Sequence, residues 1–423
     1  MDVKPGYKQM DVGILPEEWD SMSCADLCVK IQDGTHFSPK VHGHDYLYIT
    51  SKNIRFGFLD ISTAEQIDAA QHEAIYKRCD VKQGDLLLTK DGANTGNAAL
   101  NTLIEQFSLL SSVAFLRFDA KKHSAAYFLQ QTLSTQGQQR IKDSMSGNAI
   151  TRLTLEKIRN LRFPVAPLPE QRAIASALGD VDALLDGLER LIAKKHDLKQ
   201  AAMQQLLTGR TRLPGFSRKW EEKRLGELAK IQRGASPRPI DSPIWFDQNS
   251  SVGWVRISDV TCSGMFLNET TQRLSSLGVK HSRPVATGSL IMSICATVGR
   301  PIITRIDVCI HDGFVVFDNL EAHQLFVYYV LKWIEPDWTR YGQTGSQMNL
   351  NTGLINGTVI KLPPRDEQTA IAAVLSDMDA ELSALEARRD KTRALKQAMM
   401  QELLTGKTRL VPPSSNVVTP DAP

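Results

Sequence analysis

Apolar residues recur along two stretches at a spacing that suits only a long helix. Ile174, Leu178, Val181, Leu185, Leu188 and Ile192 follow one another at alternating intervals of four and three, the seam of a coiled coil. Ile371, Leu375, Met378, Leu382 and Leu385 repeat the pattern. Lys195 interrupts the first seam, and in the second Arg389 stands where Ile192 stood. Apolar positions resume at Leu198, Ala202 and Leu206, and again at Leu395, Met399 and Leu403, so a local change of phase is expected. Gly209 follows as a helix C-cap. A helix of about 40 residues would form a rod of roughly 60 Å.

The two stretches are copies. Residues 170–213 and 367–410 align without a gap at an offset of 197, and more than half of the aligned positions are identical. Amphipathic pattern alone would not preserve surface positions, so the chain is an internal duplication. What precedes each helix repeats more loosely. From Trp19 to about Pro167, short β-rich runs (Tyr46–Thr50, Asp85–Thr89, Ser112–Phe118) alternate with turn clusters such as residues 91–97. A helix is expected over His123–Asp143, and then an extended, proline-marked run from Leu161 to Pro169. After the first long helix, Trp220, Leu228, Ile231 and Gly234 echo Trp19, Leu27, Ile31 and Gly34. Gly288-Ser-Leu-Ile echoes Gly84-Asp-Leu-Leu, and Leu350 with Ile355 echoes Leu153 with Ile158.

The junctions repeat as well. The middle of the chain reads Thr-Gly-Arg-Thr-Arg-Leu (208–213) followed by Pro-Gly-Phe-Ser-Arg-Lys-Trp (214–220); the chain ends in the first half of such a junction (405–410) and begins with the second half, Leu15-Pro16 to Trp19. Antiparallel helices would bring both ends to that place. The expected fold is α+β: two tandem mixed α/β domains joined by two long helices in an antiparallel coiled coil, pseudo-two-fold and nearly circular. The expected divisions are residues 1–167, 168–212 (central helix), 213–362, 363–410 (distal helix) and a disordered Pro/Ser-rich tail, 411–423.

Composition narrows the class. The 423 residues suffice for two or three domains, and 42% hydrophobic with 23% charged residues is ordinary for a globular protein. A net charge of +3 does not announce a nucleic-acid binder, although a local basic face would not show in the sum. Six scattered cysteines without a C-x-x-C pair suit a reducing compartment. No apolar run reaches membrane-spanning length, so no membrane partner and a cytoplasmic location are expected.

No catalytic constellation emerges. Gly406-Lys407-Thr408 resembles the end of a phosphate loop but follows a helix instead of preceding one. There is no G-x-G-x-x-G, no Asn/Asp-Pro-Pro-aromatic motif of an adenine methyltransferase, and no acidic-x-Lys partner for Pro336-Asp337 that would suit a metal nuclease. His42-Gly-His44 lacks further ligands, so no metal is expected. Recognition chemistry on loops remains. The first domain offers Thr35, His36, Ser38 and Lys40; Lys52, Asn53 and Arg55; Lys90, Asn94, Thr95 and Asn97; and, near its exit, Asn148, Thr151 and Arg152. The second offers Arg233, Ser236 and Arg238; Arg256 and Ser258; Thr297 and Arg300; and Gln343, Thr344, Ser346, Gln347 and Asn349. Arg, Lys, Asn and Gln can read base edges, while Ser and Thr tie down phosphates.

Four features together resemble the specificity subunit of type I restriction–modification systems: Pro-x-x-Glu-Gln before each helix (Pro167–Gln171, Pro364–Gln368), seams closing in Leu-Leu-Thr-Gly-Arg/Lys-Thr-Arg, the Leu-Pro…Trp start of each domain, and Gly-Asp-Leu-Leu. Gly288-Ser-Leu-Ile and Arg365-Asp366 depart from the pattern. The resemblance implies a non-catalytic subunit whose two domains each read half of a bipartite double-stranded DNA site. Its partners would be two modification subunits, which use S-adenosylmethionine to methylate adenine, and two ATP- and Mg-dependent translocase–nuclease subunits; the chain itself would carry no cofactor. Ala177, Leu184 and Leu191, off the seam, are candidates for the modification-subunit interface. The competing expectation is a coiled-coil DNA-binding or scaffold protein without restriction partners.

Overall fold

A computed structural model describes residues 4–39, 43–145, 152–341 and 350–411, with the side chains of 339–341 undescribed. The chain divides into two compact units, one of Met1–Glu189 with Ala387–Pro423, the other of Arg190–Glu386. Each unit therefore holds one mixed α/β domain and a part of both long helices, which run Leu168–Leu207 and Arg365–Leu403.

In the first unit, an antiparallel sheet takes the order Cys28–Asp33, Val113–Phe118, Leu86–Thr89, Ala98–Leu100. Val113–Phe118, Leu86–Thr89 and Ala98–Leu100 are largely apolar at successive positions because both faces are covered. Leu86, Leu88, Ala114 and Leu116 pack on the helix Ala125–Leu133 and on Ile174, Leu178, Leu403 and Leu404 of the long helices. The alternate residues Leu87, Ala99, Val113 and Phe115 pack on a second sheet, Glu65–Ile67, Tyr46–Ile49 and Ser108–Leu109. The second unit repeats the scheme. Lys230–Arg233, Phe314–Asp318, Leu290–Ser293, Pro301–Thr304 and Phe266–Leu267 form one sheet, and Gln272–Arg273, Gly253–Val255, Val308–Ile310 and Arg283–Val285 the other. Leu290, Met292, Val315 and Phe317 face Ile371, Leu375, Met203, Leu206 and Leu207; Ile291, Ile302, Phe314 and Val316 face the second sheet.

Within each unit the two long helices run antiparallel. In the first, Lys396 Nζ meets Asp182 at 2.6 Å and Arg393 meets Glu189 at 3.0 Å. In the second, Lys195 meets Glu381 at 2.6 Å and Lys199 meets Asp379. The pairs Lys396–Asp182 and Lys199–Asp379 are the same contact in the two repeats. The seam residues Leu185, Leu188, Ile192 and Leu382 are buried, and Val181, Met378 and Leu385 half-buried. Two expectations need correction. Ile174, Leu178, Ile371 and Leu375 are core residues of their own domains as well as seam positions. Leu198 and Leu395 do not continue the seam: they are 46% and 55% exposed. The shift of phase turns their neighbours inward, Lys199 on Asp379 in one repeat and Lys396 on Asp182 in the other.

The two junctions explain the motifs that flank the helices. Glu170, buried, accepts from the Trp19 indole (3.0 Å) and from Arg409 through two bonds (2.6 and 2.8 Å). Glu367, also buried, accepts from Trp220 (3.0 Å) and Arg212 (2.5 and 2.6 Å). In the first unit the Trp comes from the start of the chain and the Arg from its end, with Tyr7 donating to the Gly406 carbonyl; in the second, the same site is made by one continuous segment. Gln171 bridges Ser124 N and Ala166 O, as Gln368 bridges His323 N and Pro363 O. Gly209 and Gly406 both take left-handed backbone at the helix ends, φ +70° and +68°.

Other local expectations shift slightly. The helix expected over 123–143 is two, Ala125–Leu133 and Thr135–Ser144. Ser134 caps the second by accepting from Gly137 N (2.9 Å), so a polar cap breaks what apolar spacing suggested as continuous. Pro169 lies in the first turn of the long helix, where its missing N–H costs nothing. Gly84 and Gly288 keep the same positive φ, +85° and +83°. The neighbouring Asp85 binds Arg117 at 2.9 and 2.8 Å, while Ser289 in its place donates its backbone N–H to the Thr304 hydroxyl (3.1 Å). The frame survives a change of chemistry.

Candidate nucleic-acid interface

The polar loops of the first domain converge on one short turn, Leu110-Ser111-Ser112, between the two sheets. Thr35 N donates to Leu109 O (2.8 Å) and Ser111 N to Thr35 O (2.8 Å), which fixes the 33–38 loop. Leu110 N donates to Ile49 O and Ser51 N to the Ser112 hydroxyl, which fixes the 50–60 loop. Lys90 N donates to Ser112 O, which fixes the 89–97 loop. Leu153 N then donates to Lys90 O and brings in the domain exit. Gly34 permits this approach, since a Cβ there would stand 2.0 Å from the Leu109 carbonyl oxygen.

A charge network runs through the same loops. The Lys90 ammonium is 2% exposed and lies 3.3 Å from Asp33 and 3.1 Å from Asp91. Asp33 also faces His36 at 3.4 Å, and Asp91 faces Arg152 at 3.2 Å. His36, Ser38, Lys52, Asn94 and Arg152 are left at the surface and Arg55 and Thr95 are partly covered, whereas Thr35 is buried, its hydroxyl accepting from Phe37 N (3.3 Å). Several proposed contacts are corrected here. Lys90 is a buried structural cation and does not reach a ligand. Asn53, 2% exposed, accepts from Thr50 and donates to Asp60 O (3.1 Å), while Asn97 donates to Ile54 O (3.2 Å). Lys40, Asn148 and Thr151 lie outside the described residues.

The second domain has the same turn with other residues, His311-Asp312-Gly313. Gly234 N donates to Phe314 O and Ala235 N to Ile310 O, as Gly34 and Thr35 do in the first domain. A Cβ on Gly234 would stand 2.1 Å from the His311 oxygen. Ile294 N bonds to Gly313 O, and Leu350 N to Ile294 O. Here the hub is an acid. Asp312 accepts from the Ser236 hydroxyl (2.7 Å) and pairs with Arg238 (3.4 Å); its backbone carbonyl accepts from Arg233 Nε (2.6 Å). The Ser236 hydroxyl, then the charges of His311 and Arg238, hold its carboxyl below the usual carboxylate range. Burial pushes the adjoining His311 below the ordinary imidazole value despite Asp312. Arg256 and Ser258 are exposed just beyond Gly253–Val255, which pairs with Val308–Ile310, the strand leading into this turn. Arg300 departs from expectation by bonding to Ser263 O (3.3 Å), and the Thr297 carbonyl accepts from the Ser293 hydroxyl. Gln343, Thr344, Ser346, Gln347 and Asn349 lie outside the described residues.

The reading of the sequence missed the acids Asp33, Asp91, Asp312 and their neighbour His311, because it sought donors suited to phosphates and base edges. Their signal was position: each sits at the end of an apolar strand run or directly before one, where a loop must be held.

Duplicated α/β frames presenting unlike polar loops define a sequence-reading module of nucleic-acid type. Family-level comparison agrees: residues 16–196 and 217–393 both match the type I restriction modification DNA specificity domain, and the chain belongs to that family, one of non-catalytic DNA-specificity subunits. It is 23% identical over 435 residues to the type I restriction enzyme MjaVIII specificity subunit of Methanocaldococcus jannaschii, covering 96% of each chain. Two solved structures share the fold. One is the type I restriction-modification system S subunit from M. genitalium, at TM-score 0.62 and 14% identity over 95% of this chain and 98% of that one. The other comes from a study of type I R-M complex assembly and conformational transition, at TM-score 0.59 and 18% identity over 93% and 99%. The protein serves DNA sequence specificity within a restriction–modification complex. Among the described residues no helix is long and apolar enough to cross a membrane.

Proposed function

We propose that each domain reads one half of a bipartite double-stranded DNA site through the loops gathered at its hub turn, and that the paired long helices set the spacing between the halves. The observation that carries this reading is the recurrence of one backbone frame with different hub chemistry, Leu-Ser-Ser against His-Asp-Gly, which suits two heads that read different letters. Exposed His36, Ser38, Lys52, Asn94 and Arg152 in one head, and Arg233, Arg238, Arg256 and Ser258 in the other, supply phosphate and base-edge contacts. A helix of 40 residues is about 60 Å long, enough to act as a ruler.

Two modification subunits dock on the outer face of the helices. Leu184, Leu191 and Leu198 recur there every seven residues and are 42%, 38% and 46% exposed, a stripe that water alone does not favour; Ala177 lies one heptad before them. These subunits carry S-adenosylmethionine for adenine methylation, and two translocase–nuclease subunits carry ATP and Mg; the assembly works in the cytoplasm. The decisive experiment inserts one heptad at matching places near Leu188 and Leu385, then reads the methylated site by methylome sequencing. A longer spacer between unchanged half-sites is expected, and an unchanged spacer would sink the ruler.

A further inference from the structure

Beyond the strand Tyr46–Ile49 the first domain builds a small hairpin that the hub itself does not require. Ile54 and Leu59 bridge antiparallel and Arg55 N donates to Phe58 O (3.0 Å), leaving Phe56-Gly57-Phe58 at the tip. Its base is fixed from every side. Ile54 is fully buried, Asn53 spans Thr50 and Asp60, and Arg55 pairs with Asp60 at 3.3 Å. Gly57, at φ +103°, donates its N–H to Ala98 O (2.9 Å) and pins the tip against the 89–97 loop, which Asn97 also ties to Ile54 O. Yet the two rings stay in water: Phe56 is 54% and Phe58 60% exposed.

A flexible tip could fold such rings away, but this one holds them out. Three features decide what covers them: attachment to a reading loop, the flanking cations Lys52 and Arg55, and the paired rings on a rigid turn. Cations beside an apolar wedge match a DNA duplex, whose phosphates take the charges and whose base steps or thymine methyls take the rings. We propose that the Phe56-Gly57-Phe58 tip makes apolar contact with the bases of the half-site read by the first domain. This rests on the reading above, in which the hub loops face DNA. Among the described residues the second domain has no counterpart after the equivalent strand, since the chain beyond Gly253–Val255 turns directly into the short helix Ile257–Cys262. The contact belongs to one half-site.

The test uses the chain assembled with its modification subunits and a duplex carrying the bipartite site found by methylome sequencing. F56A/F58A weakens binding at least tenfold while leaving the slope of log affinity against log salt unchanged, since the rings neutralise no phosphate; K52A lowers that slope by about one unit. Thermal unfolding and assembly with the modification subunits are little changed, because both residues are more than half exposed. Two arms locate the contact. Brightening of 2-aminopurine in the first half-site, lost in the variant, marks ring insertion, and weaker binding after thymine-to-uracil exchange in that half-site, absent in the variant, marks methyl contact. Unchanged affinity in F56A/F58A with weakened binding in N94A overturns the proposal and leaves the wider reading standing. Unchanged affinity in both variants overturns both. Loss of subunit assembly in F56A/F58A makes the tip a protein contact and overturns the proposal.

Discussion

The two hub turns share one backbone frame and differ in where they hold their charge. In the first domain a buried cation, Lys90, sits between Asp33 and Asp91, and the turn itself is neutral. In the second, the position of Lys90 in the frame is taken by the apolar Ile294, and the carboxylate of Asp312 gathers Ser236 and Arg238 from the turn itself. The first arrangement locks Lys90 under the surface and leaves Lys52, Arg152 and an aromatic hairpin exposed around it. The second leaves arginines at the surface, held ready by an acid. One frame thus supports two surfaces because loop geometry is set by backbone hydrogen bonds, while the side chains that complete the charge balance are free to differ. That division is what a protein needs if it is to change the letters it reads and keep its fold.

The comparison can be broken most severely at Lys90. K90M removes the buried cation that Asp33 and Asp91 share and leaves them only the exposed partners His36 and Arg152, at a cost of about 3–5 kcal/mol; chemical denaturation should show the loss, and D33N added to K90M should recover part of it. I294K in the second domain, which has no acid pair waiting, should show no such rescue by any single acid removal. The shared frame is tested next by G34A and G234A. Each methyl would meet a carbonyl oxygen near 2 Å, at 2.0 and 2.1 Å, so both variants should lose about 3 kcal/mol and by similar amounts; a large loss in one alone would end the equivalence of the two turns. D312N weakens the hold on Arg238 without removing the bond to Ser236. Because the pair is substantially exposed, stability should change little, while selectivity at the second half-site alone relaxes by about 1 kcal/mol per affected base pair, read by competition binding with single-base variants.

The smallest effect concerns protons. Burial lowers the His311 pKa and Asp312 partly opposes that, so D312N should lower it further, seen as an earlier midpoint toward acid in an NMR titration. The linkage follows from the direction of the shift. Below the unfolded imidazole value the unfolded chain binds more protons at this site, so His311 contributes stability that is present above that value and is lost as pH falls below it. The lowered Asp312 works in the same direction over the carboxylate range: its contribution is present above the unfolded carboxylate pKa and is lost as pH falls through the folded one.

Much of this was legible along the chain. The repeat at a fixed offset and the 4–3 spacing of Ile174 to Ile192 named two long helices, because buried apolar faces must recur at the helical period whatever surrounds them. Pro-x-x-Glu-Gln and Trp could be seen to recur, although not that Glu170 and Glu367 each hold a Trp and an Arg. The phase past Lys195 was not legible. A leucine at position 198 suits a seam, and only the antiparallel partner, which supplies Asp379 to Lys199, decides that the lysine turns inward. The loops were legible as polar and therefore as candidates, but not which of their residues are spent internally. Lys90, Asn53 and Asn97 look like DNA contacts in one dimension; in three, Lys90 and Asn53 are buried supports and Asn97 is tied to the Ile54 carbonyl.

By itself the sequence determined the duplication, the helical rods, the α/β heads and the family, since these rest on local periodicity and on repeated motifs that survive divergence. The tertiary structure alone decided the hub turns, the different charge networks around them and the exposed Phe56-Gly57-Phe58 tip. Each of those depends on which segments, distant in the chain, come within hydrogen-bond reach, and burial and charge pairing are properties of that meeting rather than of any residue.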